Sequence, residues 1–267
     1  RILVPLASII NRKYGIDKKI VAIHAETLQQ AQFRLKTAAG VSDLSYSHGT
    51  QFPIHGTGQG SGNSPCIWLL ISSTLFDIHQ SKAKGVTFVS PDGNTTIHTS
   101  MVGFVDDSTG SCNDFRPNHQ APITQLLLLM EQDAQLWNNL LYSSGGKLEL
   151  PKCSFHVLNF EYQPNGKPIP NIDKYDDCIN IIDSQTQEII PIPSKRAFDP
   201  HKTLGHRKSP SISQKTAIQD LQSKANRLAL VISMSPITRQ GAYLAYHTVY
   251  LPTVKYILPQ SFFDPEF

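Results

Sequence analysis

Cysteine is scarce. The 267 residues hold four, Cys66, Cys112, Cys153 and Cys178, and no two stand at CxxC spacing. That excludes a zinc ribbon and a scaffold stapled by disulfides, and it points to a reducing, intracellular compartment. The ten histidines offer no zinc set either: His48 and His55 flank a turn, His201 and His206 lie five apart, and none has a cysteine or carboxylate at ligand spacing. Long apolar runs are absent. The strongest, Ile123 to Met130, is too short to cross a bilayer, and no secretory leader opens the chain, so no membrane partner is expected. The glycine-rich stretch GTGQGSGNSP, residues 56–65, is followed by no GKS or GKT and lacks the strand-first GxGxxG context. A Walker loop and a dinucleotide fingerprint are therefore excluded.

What is present is globular in composition, with 40% apolar and 17% charged residues, and long enough for one large domain or two small ones. Net charge is only +3, but its sign alternates along the chain. Residues 1–20 carry five basic groups against one acid, net +4, and residues 21–194 carry nine against sixteen, net −7. Residues 195–255 carry ten against two, net +8, and residues 256–267 carry −2. An acidic middle between basic flanks suits a site that gathers cations at its centre and polyanion along its edges.

The most informative stretch is SMVGFVDDSTGSC, Ser100 to Cys112. A short apolar run, Met101 to Val105, drives two adjacent carboxylates, Asp106 and Asp107, into turn-prone residues. The pattern predicts a β-hairpin with the acids at its tip. Neighbouring strand residues face opposite ways, so one carboxylate is free to enter a cleft as a metal ligand while the other turns to the hairpin backbone or to a second ion.

Helix patterns cover residues 2–12, with Gly15 as the stop, and 24–38, ended by Gly40. TQFPIHG, residues 50–56, alternates loosely like the end of a hairpin. The glycine-rich stretch feeds a buried helix, CIWLLISSTLFDIHQS, with Ser64 as N-cap and Pro65 in the first turn. A turn of this kind before a helix N-terminus is able to hold phosphate. Two β runs, GVTFV and TTIHTSMVGFV, flank a turn at Ser90–Asn94. A long helix follows from Ala121 to Tyr142, closed by Gly145 and Gly146, and then a turn and strand through KLELPKCSFHVLNFEY. Trp68 and Trp137, each in a helical apolar run, are expected in the core.

Residues 163–200 hold six prolines. Their CINIID and EIIPI runs predict a small exposed hairpin within an insertion or linker. KTLGH, residues 202–206, reads as a brief strand. Helices follow over 213–232 and 236–250, with Leu251 and Pro252 ending the last. Lys215, Lys224, Arg227 and Arg239 on these helices suit contact with nucleic acid.

Taken in order, these pieces resemble the palm of a reverse transcriptase. Phe104-Val105-Asp106-Asp107 is similar to the aromatic-x-Asp-Asp tip of that palm. Gln59-Gly60 with Ser64-Pro65 resembles its QG...SP motif, and Gln59 stands 47 residues before Asp106. The helix from 121, Gly145-Gly146-Lys147-Leu148 and Pro151 to Phe155 look like the helix, turn and strand that follow. Lys202-Thr203-Leu204-Gly205 looks like the primer-side turn.

The resemblance covers about residues 55–255. It implies an α+β fold: an incomplete palm, an antiparallel sheet packed on helices, over 1–162; a proline-rich linker over 163–201; the palm's end and a mostly helical thumb-like region over 202–267. It also implies RNA-directed DNA synthesis on an RNA template and DNA primer duplex from deoxynucleoside triphosphates. Two Mg²⁺ or Mn²⁺ ions would be bound in the complete site only, with Asp106 the direct ligand of both and Asp107 the second, less essential member. Gln59, Gly60, Ser64 and Phe104 would lie at the incoming nucleotide, template and primer, and Lys147 or Lys152 toward the triphosphate.

The family's first catalytic acid has no counterpart. Asp17 follows a helix end and Asp43 sits in a serine-rich loop, so that strand is expected upstream, and these residues alone are expected not to polymerise. A non-catalytic nucleic-acid-binding remnant of a retroelement and an RNA-dependent RNA polymerase palm are the alternative readings.

Overall fold

The structure, a computed structural model, describes residues 2–47, 62–113, 115–116, 119–120, 123–165, 167–171, 178–203, 206–211 and 215–257. It is of mixed α+β class and divides into two compact units. The first comprises Arg1–Cys153 and Ile179–Ile192, the second Ser154–Cys178 and Pro193–Phe267. No helix among the described residues is long and apolar enough to cross a membrane.

In the first unit, helix α1 spans Val4–Lys13, with a proline in its first turn and Arg12 and Lys13 in its last, where cations suit the helix dipole. Helix α2, Lys18–Gln30, is capped by the Asp17 carboxylate, which accepts from the Lys19 amide at 2.8 Å. Gln32–Thr37 (β1) and Gly40–Ser47 (β2) then form an antiparallel hairpin. This corrects the helix expected over 24–38: it ends at Gln30, and Gly40 belongs to a hairpin. The apolar spacing that suggested helix continues into β1, where Leu35 lies exposed. Asp43 lies within β2 rather than in a loop. The pattern at 50–56 falls outside the described residues.

Helix α3 spans Ser64–Lys82. Its N-cap is Asn63, one residue earlier than expected, and Ser64 opens the helix. Val86–Val89 (β3) pairs with Thr96–Thr99 (β4) across the predicted turn. Met101–Phe104 (β5) pairs with Asp107–Gly110 (β6). The single strand expected over 95–105 is thus two, broken at buried Ser100. A short pair follows, Phe115–Arg116 (β7) with His119–Gln120 (β8). Helix α4 runs Ile123–Ser143 and closes on Gly145 at φ +88°, where an added Cβ would meet the Leu3 side chain at 2.8 Å.

The core gathers Ile2, Ala7 and Ile10 from the chain's start and α1, Ile67, Ile71 and Leu75 from α3, and Trp137 from α4. Leu6, Phe76, Met101 and Leu140 pack around them. Cys178–Ile182 (β12) neighbours Ile189–Lys195 (β13). This is the hairpin expected within the proline-rich segment, but it is not exposed throughout: Ile179, Ile181 and Ile192 are buried. The backbone edge of β12 is covered by α4. Glu131 accepts from the Asn180 amide, Gln135 exchanges bonds with both backbone groups of Ile182, and Asn138 donates to the Ile182 carbonyl.

In the second unit, Phe155–His156 (β9) pairs in parallel with Ser194 and Lys195, the end of β13. Asn159–Tyr162 (β10) pairs with Pro168–Asn171 (β11). Where one strand was expected through 153–162, two occur, and Phe155 and Val157 are buried. His201–Thr203 (β14) pairs with His206–Lys208 (β15). Helix α5 spans Lys215–Met234 and α6 spans Arg239–Ala245. A π-helical turn, Tyr246–Tyr250, leads into α7, Leu251–Ile257. The helix therefore does not end at Leu251–Pro252. A π turn rearranges the backbone bonding just ahead of Pro252, so its missing N–H falls where the regular ladder is already interrupted.

Among the described residues the antiparallel strands form small, mostly two-stranded hairpins; a continuous palm-like sheet is not seen.

Candidate functional site

The hairpin of β5 and β6 is closed by a two-residue turn, Val105 and Asp106, with Phe104 directly opposite Asp107. Register decides which side chains share a face. Gly103 pairs with Ser108 and Met101 with Gly110, and these face the helices. An added Cβ at Gly103 would lie 2.2 Å from Cζ of Phe76, so only glycine lets the strand approach α3 this closely. Phe76 stacks on Trp137 at 5.1 Å between ring centroids, and the Trp137 indole N–H donates to the Ser108 hydroxyl at 3.0 Å. The opposite face, with Val102, Phe104, Asp107 and Thr109, is exposed.

The turn itself is strained. Val105, a β-branched residue, holds φ +56° at the first central position, where such turns favour glycine. Its carbonyl accepts from the indole Nε1 of Trp68, one turn into α3. Trp68 is therefore only partly core: it packs against the apolar cluster and spends its one donor on the hairpin tip. Strain of this kind persists only where surrounding contacts impose it, and costs about 1–3 kcal/mol. Here the Trp68 bond and the Gly103–Phe76 contact impose it.

Below the hairpin, His79 is fully buried. Its Nε2 lies 3.0 Å from the Asp133 carbonyl, which only accepts, so this nitrogen carries a proton. The Ser100 hydroxyl lies 2.8 Å from Nδ1 and also donates to the Gln80 side-chain oxygen at 3.1 Å. Gln80 accepts from the Ser100 amide at 2.8 Å, and Asp133 accepts from the amides of Lys84 and Gly85. This network ties α3, α4 and the break between β4 and β5 together. Cys112 lies just beyond, its thiol pushed up to about 11 by burial, with the Asp133 charge adding to the effect.

Asp106 and Asp107 are both exposed, and among the described residues neither side chain has a hydrogen bond or ion pair. Asp106 sits at the turn and Asp107 lies on the exposed hairpin face beside Phe104. No group of three histidine, cysteine or acidic residues able to hold a metal occurs among the described residues. Two carboxylates are nonetheless the number that Mg²⁺ commonly takes from a protein when phosphate oxygens complete its shell, so the donor set fits one such ion.

No family model matches this chain, and no curated protein matches it.

The remaining expected residues scatter. Gln59 and Gly60 lie outside the described residues, as do Leu204 and Gly205 of the primer-side turn. Ser64 is the first residue of α3 and Phe104 is 58% exposed. The Lys147 ammonium is engaged by buried Asp183 at 2.9 Å. That bond, with the Gln185 and Thr186 amides, holds the Asp183 carboxyl below its usual range. Lys152 ends a 3₁₀ turn and is exposed.

In the second unit Lys224 and Arg227 come together with Lys202, Arg207, Asp220 and Ser223 around an open cleft of about 530 Å³. Arg207 pairs with Asp220, which leaves a cationic excess along the wall. Lys215, at the start of α5, and Arg239, at the start of α6, stand outside this lining. Sequence reasoning missed Lys202 and Arg207 as partners of α5. Their only signal is basic density, because the pairing depends on how β14 and β15 fold against the helix.

Proposed function

We propose that this chain carries part of a template-directed DNA polymerase site of reverse-transcriptase type. The observation that supports it most is the Trp68–Val105 bond. It ties the helix that follows the glycine-rich stretch to a strained turn presenting an exposed aspartate pair. Ser64 and Pro65, the described part of the glycine-rich motif, open that same helix.

In this reading Asp106 and Asp107 hold Mg²⁺ jointly with the triphosphate of a deoxynucleotide. The ion, when bound, lowers the charge cost of attack by a primer 3′-hydroxyl. Phe104, on the same hairpin face as Asp107, packs beside the primer end. Gln59 and Gly60 lie against the incoming nucleotide and Lys152 toward its phosphates. The cleft lined by Lys202, Lys224 and Arg227 takes backbone phosphates of the primer–template. The same cleft favours a second reading, a nucleic-acid-binding remnant without catalysis.

Primer extension on an RNA template with Mg²⁺ or Mn²⁺ separates the two, run with the full reading frame that contains this chain, wild type and Asp106→Asn. Extension that falls at least a hundredfold in the variant, with unchanged affinity for primer–template, supports the polymerase. Equal extension by both proteins defeats it. Tight binding with no extension by either favours the remnant. These 267 residues alone are expected to give no extension.

A further inference from the structure

The last helical stretch of the second unit carries a run of aromatic rings that the polymerase reading does not use. Tyr243 and His247 lie 4.3 Å apart between centroids, His247 meets Tyr246 edge-on at 5.2 Å, and Tyr246 stacks on Tyr250 at 5.4 Å with ring planes only 17° apart. Their spacing, residues 243, 246, 247 and 250, puts all four on one helix face, with Arg239 one turn earlier on the same face. Tyr243 is 67% exposed and Tyr246 44%, His247 is exposed as well, and Tyr250 is half-buried at the end of the run. The stretch is π-helical from Tyr246 to Tyr250, an irregularity frequent at functional sites.

We propose that this face is a stacking platform for unpaired bases of single-stranded nucleic acid. Four contiguous rings match the sequence-tolerant way such proteins hold bases, through their π faces. The charge around them identifies the occupant. The cleft of Lys202, Arg207, Lys224 and Arg227 belongs to the same unit, and α5, which carries two of those groups, packs against both the π turn and α7. Residues 195–255 sum to net +8, which attracts a polyanion. A duplex hides its base faces, so single strands gain from the aromatic run and duplexes do not. The inference goes beyond the polymerase reading, because stacking and phosphate contact need no divalent ion.

The test uses the 267-residue chain in EDTA, with fluorescence anisotropy of a labelled oligothymidylate of about 20 nucleotides and of a duplex of the same length. Tyr243→Ala with Tyr246→Ala is expected to weaken single-strand binding about tenfold and to leave duplex binding unchanged. Tyr243→Phe with Tyr246→Phe keeps the rings and is expected to keep the affinity. Lys224→Ala is expected to flatten the logarithmic salt dependence by about 0.7. Photo-cross-linking of a bromodeoxyuridine oligonucleotide to the unmodified chain is expected to label the 243–250 peptide, a measurement that does not depend on any variant folding. Three outcomes overturn the proposal: equal affinity of the alanine variant and the wild type, cross-links confined to other peptides, or a dimeric chain that shields these tyrosines and leaves the oligonucleotide unshifted.

Discussion

The indole of Trp68 donates its only hydrogen bond to the carbonyl of Val105, 37 residues away, and so fixes the tip of the β5–β6 hairpin to the first turns of α3. The aspartate pair owes its position to this bond and to the missing side chain at Gly103.

Gly103→Ala should damage the hairpin without touching a carboxylate. The new methyl would overlap the Phe76 ring, which is itself held by Trp137, so the strand must back away. A loss of about 1–3 kcal/mol is expected in urea unfolding. An unchanged midpoint would show that Phe76 swings aside at no cost.

Val105→Gly should act in the opposite direction. Glycine adopts φ +56° without the penalty a β-branched residue incurs, while costing some unfolded-chain entropy. A net gain of about 1 kcal/mol in unfolding free energy is expected. A drop in stability would mean that the valine side chain contributes packing that outweighs its strain.

Asp106→Asn should leave the unfolding midpoint within about 0.5 kcal/mol of wild type, because the side chain is exposed and has no partner among the described residues. Calorimetric titration of a preformed Mn²⁺–deoxynucleoside triphosphate complex into the protein should lose its heat in the variant. Identical isotherms would remove the carboxylate from any metal-holding role.

The Lys147–Asp183 pair should make stability depend on pH at the acid end. The folded Asp183 carboxyl lies below its ordinary value, with the Lys147 bond the largest cause. Its contribution is therefore complete above the unfolded carboxylate value of about 4 and is lost as pH falls through the lower folded value. Asp183→Asn should flatten the urea midpoint across that acid window. Half-buried His156, whose imidazole is held below its usual value mainly by desolvation, adds the same sign at higher pH: stability declines as pH falls below about 6.5. His156→Gln should remove that part of the slope alone.

Cys112 should resist alkylation. With its thiol near 11, only about one part in a thousand is thiolate at pH 8. Iodoacetamide followed by peptide mass spectrometry should label exposed Cys66 well before Cys112. Equal rates would contradict the burial that raises the thiol.

Much of the local structure was legible. Alternation and turn chemistry announced the hairpin at 101–110, the glycine-rich lead-in announced α3, and paired glycines announced the end of α4. The failures are equally local in origin. Residues 31–38 keep helical apolar spacing, yet Gly40 turns the chain into a hairpin and the segment pairs as β1. Pro252 looks like a helix end, yet the π turn before it lets the helix continue.

By itself the sequence determined that two carboxylates would sit at a hairpin tip, because strand alternation and turn propensity act between near neighbours. It also determined the basic density of residues 195–255. Only the tertiary structure decided that Gly103 lies on Phe76, that Trp68 reaches the turn, that Asp183 takes up Lys147, and that Lys202 and Arg207 meet Lys224 and Arg227 around one cleft. Each of those joins residues from different elements, and no periodicity within a single element encodes which distant side chain fills the space beside it.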